Sequence, residues 1–116
     1  MRAIQTAACG AVLSIVSTAA LAEIDILSVT FTCENDTPIP VSYFNAPDGS
    51  GAAAMVIDGT LVALRQTPSG SGIRYESVAA DGYYTLRSKG WEATITYQPV
   101  GDTAPERVLF KDCSSR

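Results

Sequence analysis

The chain has 116 residues, of which 47% are hydrophobic and 17% charged, a composition typical of one small globular domain rather than a disordered segment. It contains no histidine, which excludes Ser-His-Asp catalysis and histidine-ligated metal sites. The net charge of −4 at pH 7 argues against a surface that binds nucleic acid and favours a cationic partner.

The first 22 residues have the pattern of a secretory signal peptide. Arg2 supplies a positive charge, residues 7–21 are apolar or small, and residues 20–22 have the small-x-small form of a signal-peptidase site. A membrane-spanning helix is the alternative, but the apolar run is short for one and Gly10 and three hydroxyl residues interrupt it. We therefore predict cleavage after Ala22.

The predicted mature domain, residues 23–116, carries two cysteines and no membrane attachment. Cys9 lies within the signal segment, in a context that matches a lipidation signal poorly. Twelve acidic and seven basic residues follow position 22, so the mature net charge is −5. Export places Cys33 and Cys113 in an oxidising compartment, where an even cysteine count favours a disulfide.

Turn signals divide the mature domain into eight short segments. Clusters of Gly, Pro, Asn, Asp and Ser mark these turns, at 35–38, 46–51, 58–59, 68–72, 81–82, 89–90 and 101–105. Several segments alternate with period two, which is typical of strands with one buried face. Examples of the apolar set are Val29, Phe31 and Cys33 in one segment, and Trp91, Ala93, Ile95 and Tyr97 in another.

The predicted fold is all-β. Eight strands at this spacing suit a small antiparallel barrel with one disulfide, or a two-sheet sandwich as the alternative. No helical pattern separates the strands, which argues against a parallel sheet with crossover helices.

Two short motifs stand out from this background. The first is Ser71-Gly72-Ile73-Arg74-Tyr75 and the second is Lys89-Gly90-Trp91-Glu92-Ala93. With Phe31-Thr32-Cys33 before them and Asp112-Cys113 after them, the sequence resembles the c-type lysozyme inhibitor family of Gram-negative bacteria, in its periplasmic form. Arg87 departs from that pattern, because the family commonly has an aromatic residue two positions before the motif lysine.

A hairpin would bring the two motifs together. If residues 73–78 and 83–88 pair around a turn at 79–82, Gly72 lies opposite Lys89, because antiparallel partners keep a constant sum of residue numbers. Ser71 and Lys89 are therefore predicted at the same end of the sheet.

The resemblance implies a periplasmic protein whose partner is a cationic c-type lysozyme. It implies that Ser71 and Lys89 occupy the catalytic cleft of that enzyme and that Gly72, Tyr75 and Gly90 belong to the same binding surface. The ring of Tyr75 is predicted to pack in the core or at the rim rather than to contact the enzyme directly. No cofactor, metal site, nucleic acid or membrane partner is predicted.

Two other function classes are open on the sequence alone. A periplasmic barrel that binds carbohydrate or lipid is the first alternative, because a small barrel with a hollow interior can hold one small ligand. An enzyme is the second and is not expected, because neither histidine nor a Ser-Lys or Asp-Glu pair at a catalytic spacing is present. A filled interior would favour the inhibitor over the ligand-binding barrel.

Overall fold

The computed structural model describes residues 23–77, 82–99 and 105–116, and all structural statements here refer to those residues. The predicted signal peptide with Cys9, the predicted turn residues 79–81 and most of the predicted turn at 101–105 lie outside them. Within the described ranges, no helix is long and apolar enough to cross a membrane.

Eight antiparallel strands form a closed barrel, so the prediction of a barrel is confirmed over that of a sandwich. Each strand pairs with the next along the chain, and β8 returns to β1. The strands are β1 (Asp25–Thr32), β2 (Pro38–Asn45), β3 (Gly51–Ile57), β4 (Thr60–Thr67), β5 (Ile73–Ser77), β6 (Gly82–Lys89), β7 (Glu92–Pro99) and β8 (Arg107–Ser114).

Side chains fill the barrel interior along its described length. Alternate residues point inward, as the period-two pattern of Phe31 and Ile95 predicts. The largest side chains with less than 2% exposure are Tyr75, Phe31, Ile39, Met55, Leu86, Ile95 and Cys113. The core is therefore packed rather than hollow.

The predicted disulfide between Cys33 and Cys113 is present and lies where the barrel closes. Among the described residues, β1 and β8 share one register pair, Thr32 with Ser114, whereas β1 and β2 pair along their whole length. The bridge directly follows that pair on β1 and precedes it on β8. The disulfide therefore joins β1 to β8, the pair of neighbouring strands with the fewest register pairs among the described residues.

Three local features differ from the sequence pattern. Trp91 was predicted on the buried face, but it lies in the β6–β7 turn and is 50% exposed. Thr96 was predicted on the polar face, yet it is only 5% exposed because charged side chains cover it on the outer wall. A one-turn 3-10 helix, Glu34–Asp36, joins β1 to β2 and has positive φ at Asn35 and Asp36.

Candidate functional site

Both motifs lie at one end of the barrel. Because successive strands run in opposite directions, the β2–β3, β4–β5 and β6–β7 connections share an end. Ser71 and Gly72 belong to the β4–β5 connection, and Lys89 and Gly90 lead into the β6–β7 turn. The observed register, Ile73 with Ser88, confirms the predicted pairing that sets Gly72 opposite Lys89.

Gly72 lets the two motifs approach closely. Its φ is +67°, in the left-handed region that favours glycine. A Cβ atom added there would lie 2.6 Å from the carbonyl oxygen of Ser88 and 3.3 Å from the Cβ of Lys89. A larger residue would therefore push Lys89 away from Ser71. This steric limit explains why glycine follows Ser71 in the first motif.

Gly90 has a different reason to be glycine. Lys89 and Glu92 close the hairpin, which leaves Gly90 and Trp91 as a two-residue turn. Gly90 has a φ of +62°, whereas Trp91 does not have a positive φ, the pattern of a type II′ turn with glycine first. No atom lies within 4 Å of a Cβ built on Gly90, so its requirement is conformational rather than steric.

Ser71 presents a free hydroxyl on a braced backbone. The hydroxyl of Ser69 donates to the carbonyl oxygen of Ser71 at 2.8 Å and accepts from its backbone N–H at 3.3 Å. Within the described structure, the hydroxyl of Ser71 itself forms no hydrogen bond. It can therefore donate to a partner without losing an internal contact.

Ser71 and Lys89 line a surface groove of about 450 Å³ that we call the site groove. Glu92 and Asp112 also line it, so its walls carry both signs of charge. Lys89 is exposed and makes no ion pair with any described residue. The groove thus combines a free ammonium and a free hydroxyl, both of which donate to a carboxylate.

Tyr75 supports the site groove from inside the barrel. It is 1% exposed, and its ring packs against that of Tyr43 with centroids 5.4 Å apart. Burial raises the pKa of both phenols. Tyr75 pairs with Leu86 across β5 and β6, three positions from Gly72 and Lys89, so it fixes the strands rather than reaching the surface.

Arg87 forms a polar cluster on the outer wall beside the site groove. It contacts Glu106 at 3.3 Å and Thr96 at 3.4 Å, while the Thr96 hydroxyl donates to Glu106 at 2.5 Å. The Thr96 hydrogen bond is the largest influence on the pKa of Glu106 and lowers it. Burial is the next largest and opposes this, and the charges of Arg87 and Arg74 add to the lowering. The cluster links β6 and β7 to the start of β8.

Comparisons with known proteins identify the family of the chain. The family model described as "Membrane-bound lysozyme-inhibitor of c-type lysozyme" matches residues 31–104, which include both motifs. The chain belongs to this family.

No group of three or more Cys, Asp or Glu side chains in the described part of the chain is arranged to hold a metal ion.

Two curated members of the family are similar in sequence, and both are called membrane-bound lysozyme inhibitor of C-type lysozyme. The protein from Cupriavidus necator is 39% identical over 71 residues, 61% of this chain and 53% of that protein. The protein from Pseudomonas aeruginosa is 36% identical over 91 residues, 78% of this chain and 68% of that protein. The chain thus spans about half to two thirds of their lengths.

A solved structure has the same fold as this chain. The crystal structure of a periplasmic lysozyme inhibitor of C-type lysozyme from Salmonella typhimurium superimposes with a TM-score of 0.63 at 26% sequence identity. The match covers 81% of this chain and 99% of that chain.

Two contributors to the site are not evident from the motifs. Ser69 and Gly70 form a second Ser-Gly pair just before the first motif. The sequence gives no sign that the Ser69 hydroxyl hydrogen-bonds to the backbone of Ser71. Asp112 lies 23 residues beyond Lys89, and the pairing of β8 with β7, Ala93 with Cys113, brings it to the site groove. The Asp-Cys pair at 112–113 is the one signal in the sequence that points to this region.

Proposed function

We propose that this protein inhibits c-type lysozyme by placing Ser71 and Lys89 in the catalytic cleft of the enzyme. The observation that carries the proposal is the pairing of a free hydroxyl and a free ammonium in one groove, held together by the close approach of Gly72 to Lys89. Membership of the inhibitor family supports the same partner.

The chemistry of the target fits these two side chains. A retaining glycosidase such as c-type lysozyme has two catalytic carboxyl groups about 5 Å apart. The ammonium of Lys89 brings three donors and a compensating charge between them, and the hydroxyl of Ser71 donates one more hydrogen bond. An inhibitor of this kind needs no chemistry of its own, so we propose no enzymatic activity for the chain.

The proposed location is the periplasm, or more broadly the cell envelope. The signal-like segment 1–22 and the disulfide support export. The name of the Salmonella typhimurium structure supports a periplasmic setting for this fold.

No specific observation favours the alternative of a carbohydrate- or lipid-binding barrel. That function requires an interior with room for a ligand, whereas seven large side chains with less than 2% exposure occupy the described interior.

The test is a titration of c-type lysozyme, acting on cell walls, with the wild-type protein and two single variants. Lys89→Ala is expected to raise the inhibition constant about thirtyfold to a few thousandfold, because loss of one partner of a buried charge pair costs about 2 to 5 kcal/mol. Ser71→Ala removes one hydrogen bond to a charged acceptor and should cost about 1.5 to 3 kcal/mol.

Lys111→Ala is the matched control. The chain has only these two lysines, both are exposed, and Lys111 does not line the site groove. All three variants should keep the wild-type melting temperature, since exposed substitutions away from packed contacts change stability by about 0.5 kcal/mol. Equal inhibition by the Lys89→Ala and Lys111→Ala proteins would refute the proposed mechanism, and a wild-type protein that leaves lysozyme fully active would refute the function.

A further inference from the structure

A second concave surface lies directly beside the site groove. This cavity of about 360 Å³, the barrel mouth, is floored by the buried rings of Phe31, Tyr43 and Tyr75. Its rim carries Leu27, Ile73 and Trp91, three large apolar side chains that are each between 44% and 56% exposed. Such a cluster of exposed apolar residues is typical of an interaction surface.

The barrel mouth and the site groove adjoin each other. Ser88 lines both cavities. Ile73 lies two residues after Ser71, and Trp91 lies two residues after Lys89. Even a fully extended chain separates the Cα atoms of such a pair by only about 7 Å. An interface of ordinary size covers about 800 Å² on each partner. A partner seated on Ser71 and Lys89 must therefore also cover Ile73 and Trp91.

The ring of Trp91 is held in place before any partner arrives. The guanidinium of Arg116 stacks over it at 4.2 Å from the ring centroid. The backbone N–H of Ser115 donates to the carbonyl oxygen of Trp91 at 2.9 Å, and Gly90 fixes the turn that carries it. A rigid aromatic side chain loses little conformational entropy on binding, and tryptophan is enriched among the residues that dominate binding energy.

We propose that the rim of the barrel mouth, and Trp91 in particular, is the apolar part of the lysozyme interface and determines affinity together with Lys89. The proposal rests on the proposed function and extends it. The occupant is the lip of the lysozyme cleft, because the same docked enzyme covers both surfaces. Lys89 then supplies charge complementarity, while Trp91 supplies buried apolar area.

Trp91→Ala is compared with Tyr83→Ala in the lysozyme titration. Tyr83 is a matched control, because it is an aromatic residue with 48% exposure at the opposite end of β6. Trp91→Ala is expected to raise the inhibition constant at least about thirtyfold, the effect of losing a dominant interface residue. Tyr83→Ala should stay within about twofold of wild type. Equal constants for the two variants, with the wild type inhibiting, would overturn this inference and leave the proposed function intact.

A direct measurement uses the fact that Trp91 is the only tryptophan of the chain. Protein grown with 5-fluorotryptophan gives one fluorine resonance, whose solvent-isotope shift between H₂O and D₂O reports exposure. Adding c-type lysozyme should move the resonance and abolish most of that shift. An unchanged resonance under inhibiting conditions overturns the proposal. So does a resonance that moves with the inhibitor's own concentration without lysozyme, because it assigns the rim to a second copy of this chain.

Discussion

Gly72→Ala tests whether the contact between the two motifs is a steric requirement of the fold. The left-handed φ of +67° costs an alanine about 1 to 2 kcal/mol. The new Cβ would also lie 2.6 Å from the Ser88 carbonyl oxygen, and relieving such an overpacked contact costs about 1 to 3 kcal/mol. Reduced entropy of the unfolded chain returns about 0.4 to 1 kcal/mol. We expect a net loss of about 3 kcal/mol, within a range of about 1 to 4.5 kcal/mol.

Gly90→Ala separates the steric effect from the conformational one. Its φ of +62° is nearly the same, but the space around its Cβ position is open, so its loss should be about 1 kcal/mol. Urea unfolding of both variants gives the difference in the free energy of unfolding. Lysozyme titration should also show weaker inhibition by Gly72→Ala, because the relieved contact displaces Lys89. Equal stability of the two variants would refute the argument that close approach of the strands defines this position.

The other two predictions concern charge. An acidic inhibitor should associate with a cationic lysozyme faster at low ionic strength, because salt screens surface charges over about 10 Å at 0.1 M; a stopped-flow rate that is the same at two salt concentrations would contradict this. Thr96→Val removes the largest cause of the lowered Glu106 pKa and should reduce the free energy of unfolding at pH 7 by about 1 kcal/mol. A group with a lowered folded pKa stabilises the fold above its unfolded pKa, here 4.5, and loses that effect as the pH falls through the folded value. The difference between wild type and variant should therefore shrink below pH 4.5, and a pH-independent difference in urea unfolding would exclude this role for Glu106.

The barrel and the register of its central hairpin could be predicted from local patterns. Turn residues fix where each strand ends, and alternation fixes which face is buried, as for Phe31 and Ile95. The pairing of Gly72 with Lys89 follows from residue numbers alone once the turn is placed. These features depend on residues that are close together in the sequence, so one amino-acid sequence is enough to predict them.

The features that could not be predicted depend on how the strands pair and on where a turn begins. Thr96 is polar and looks like a surface residue, but Arg87 of β6 and Glu106 before β8 cover it, beside a shift in the register between β7 and β8 near Ile95. Asp112 joins the site groove through the pairing of β8 with β7, across a connection that carries no motif. Trp91 continues the apolar alternation of β7, yet the two-residue turn begins before the strand and leaves it exposed.

The same constraints predict that the proposed binding residues of this barrel can be changed without unfolding it. Lys89 and Trp91 extend from a hairpin whose position is set by buried residues such as Tyr75 and Leu86, so truncating either exposed side chain leaves the packed core intact. Gly72 is the exception, because its backbone lies in the contact between the two motifs. Stability and inhibition should therefore vary together at Gly72 and separately at Lys89 and Trp91. If the proposed interface is correct, we expect affinity for a given lysozyme to change through these exposed positions while the barrel and its disulfide stay the same.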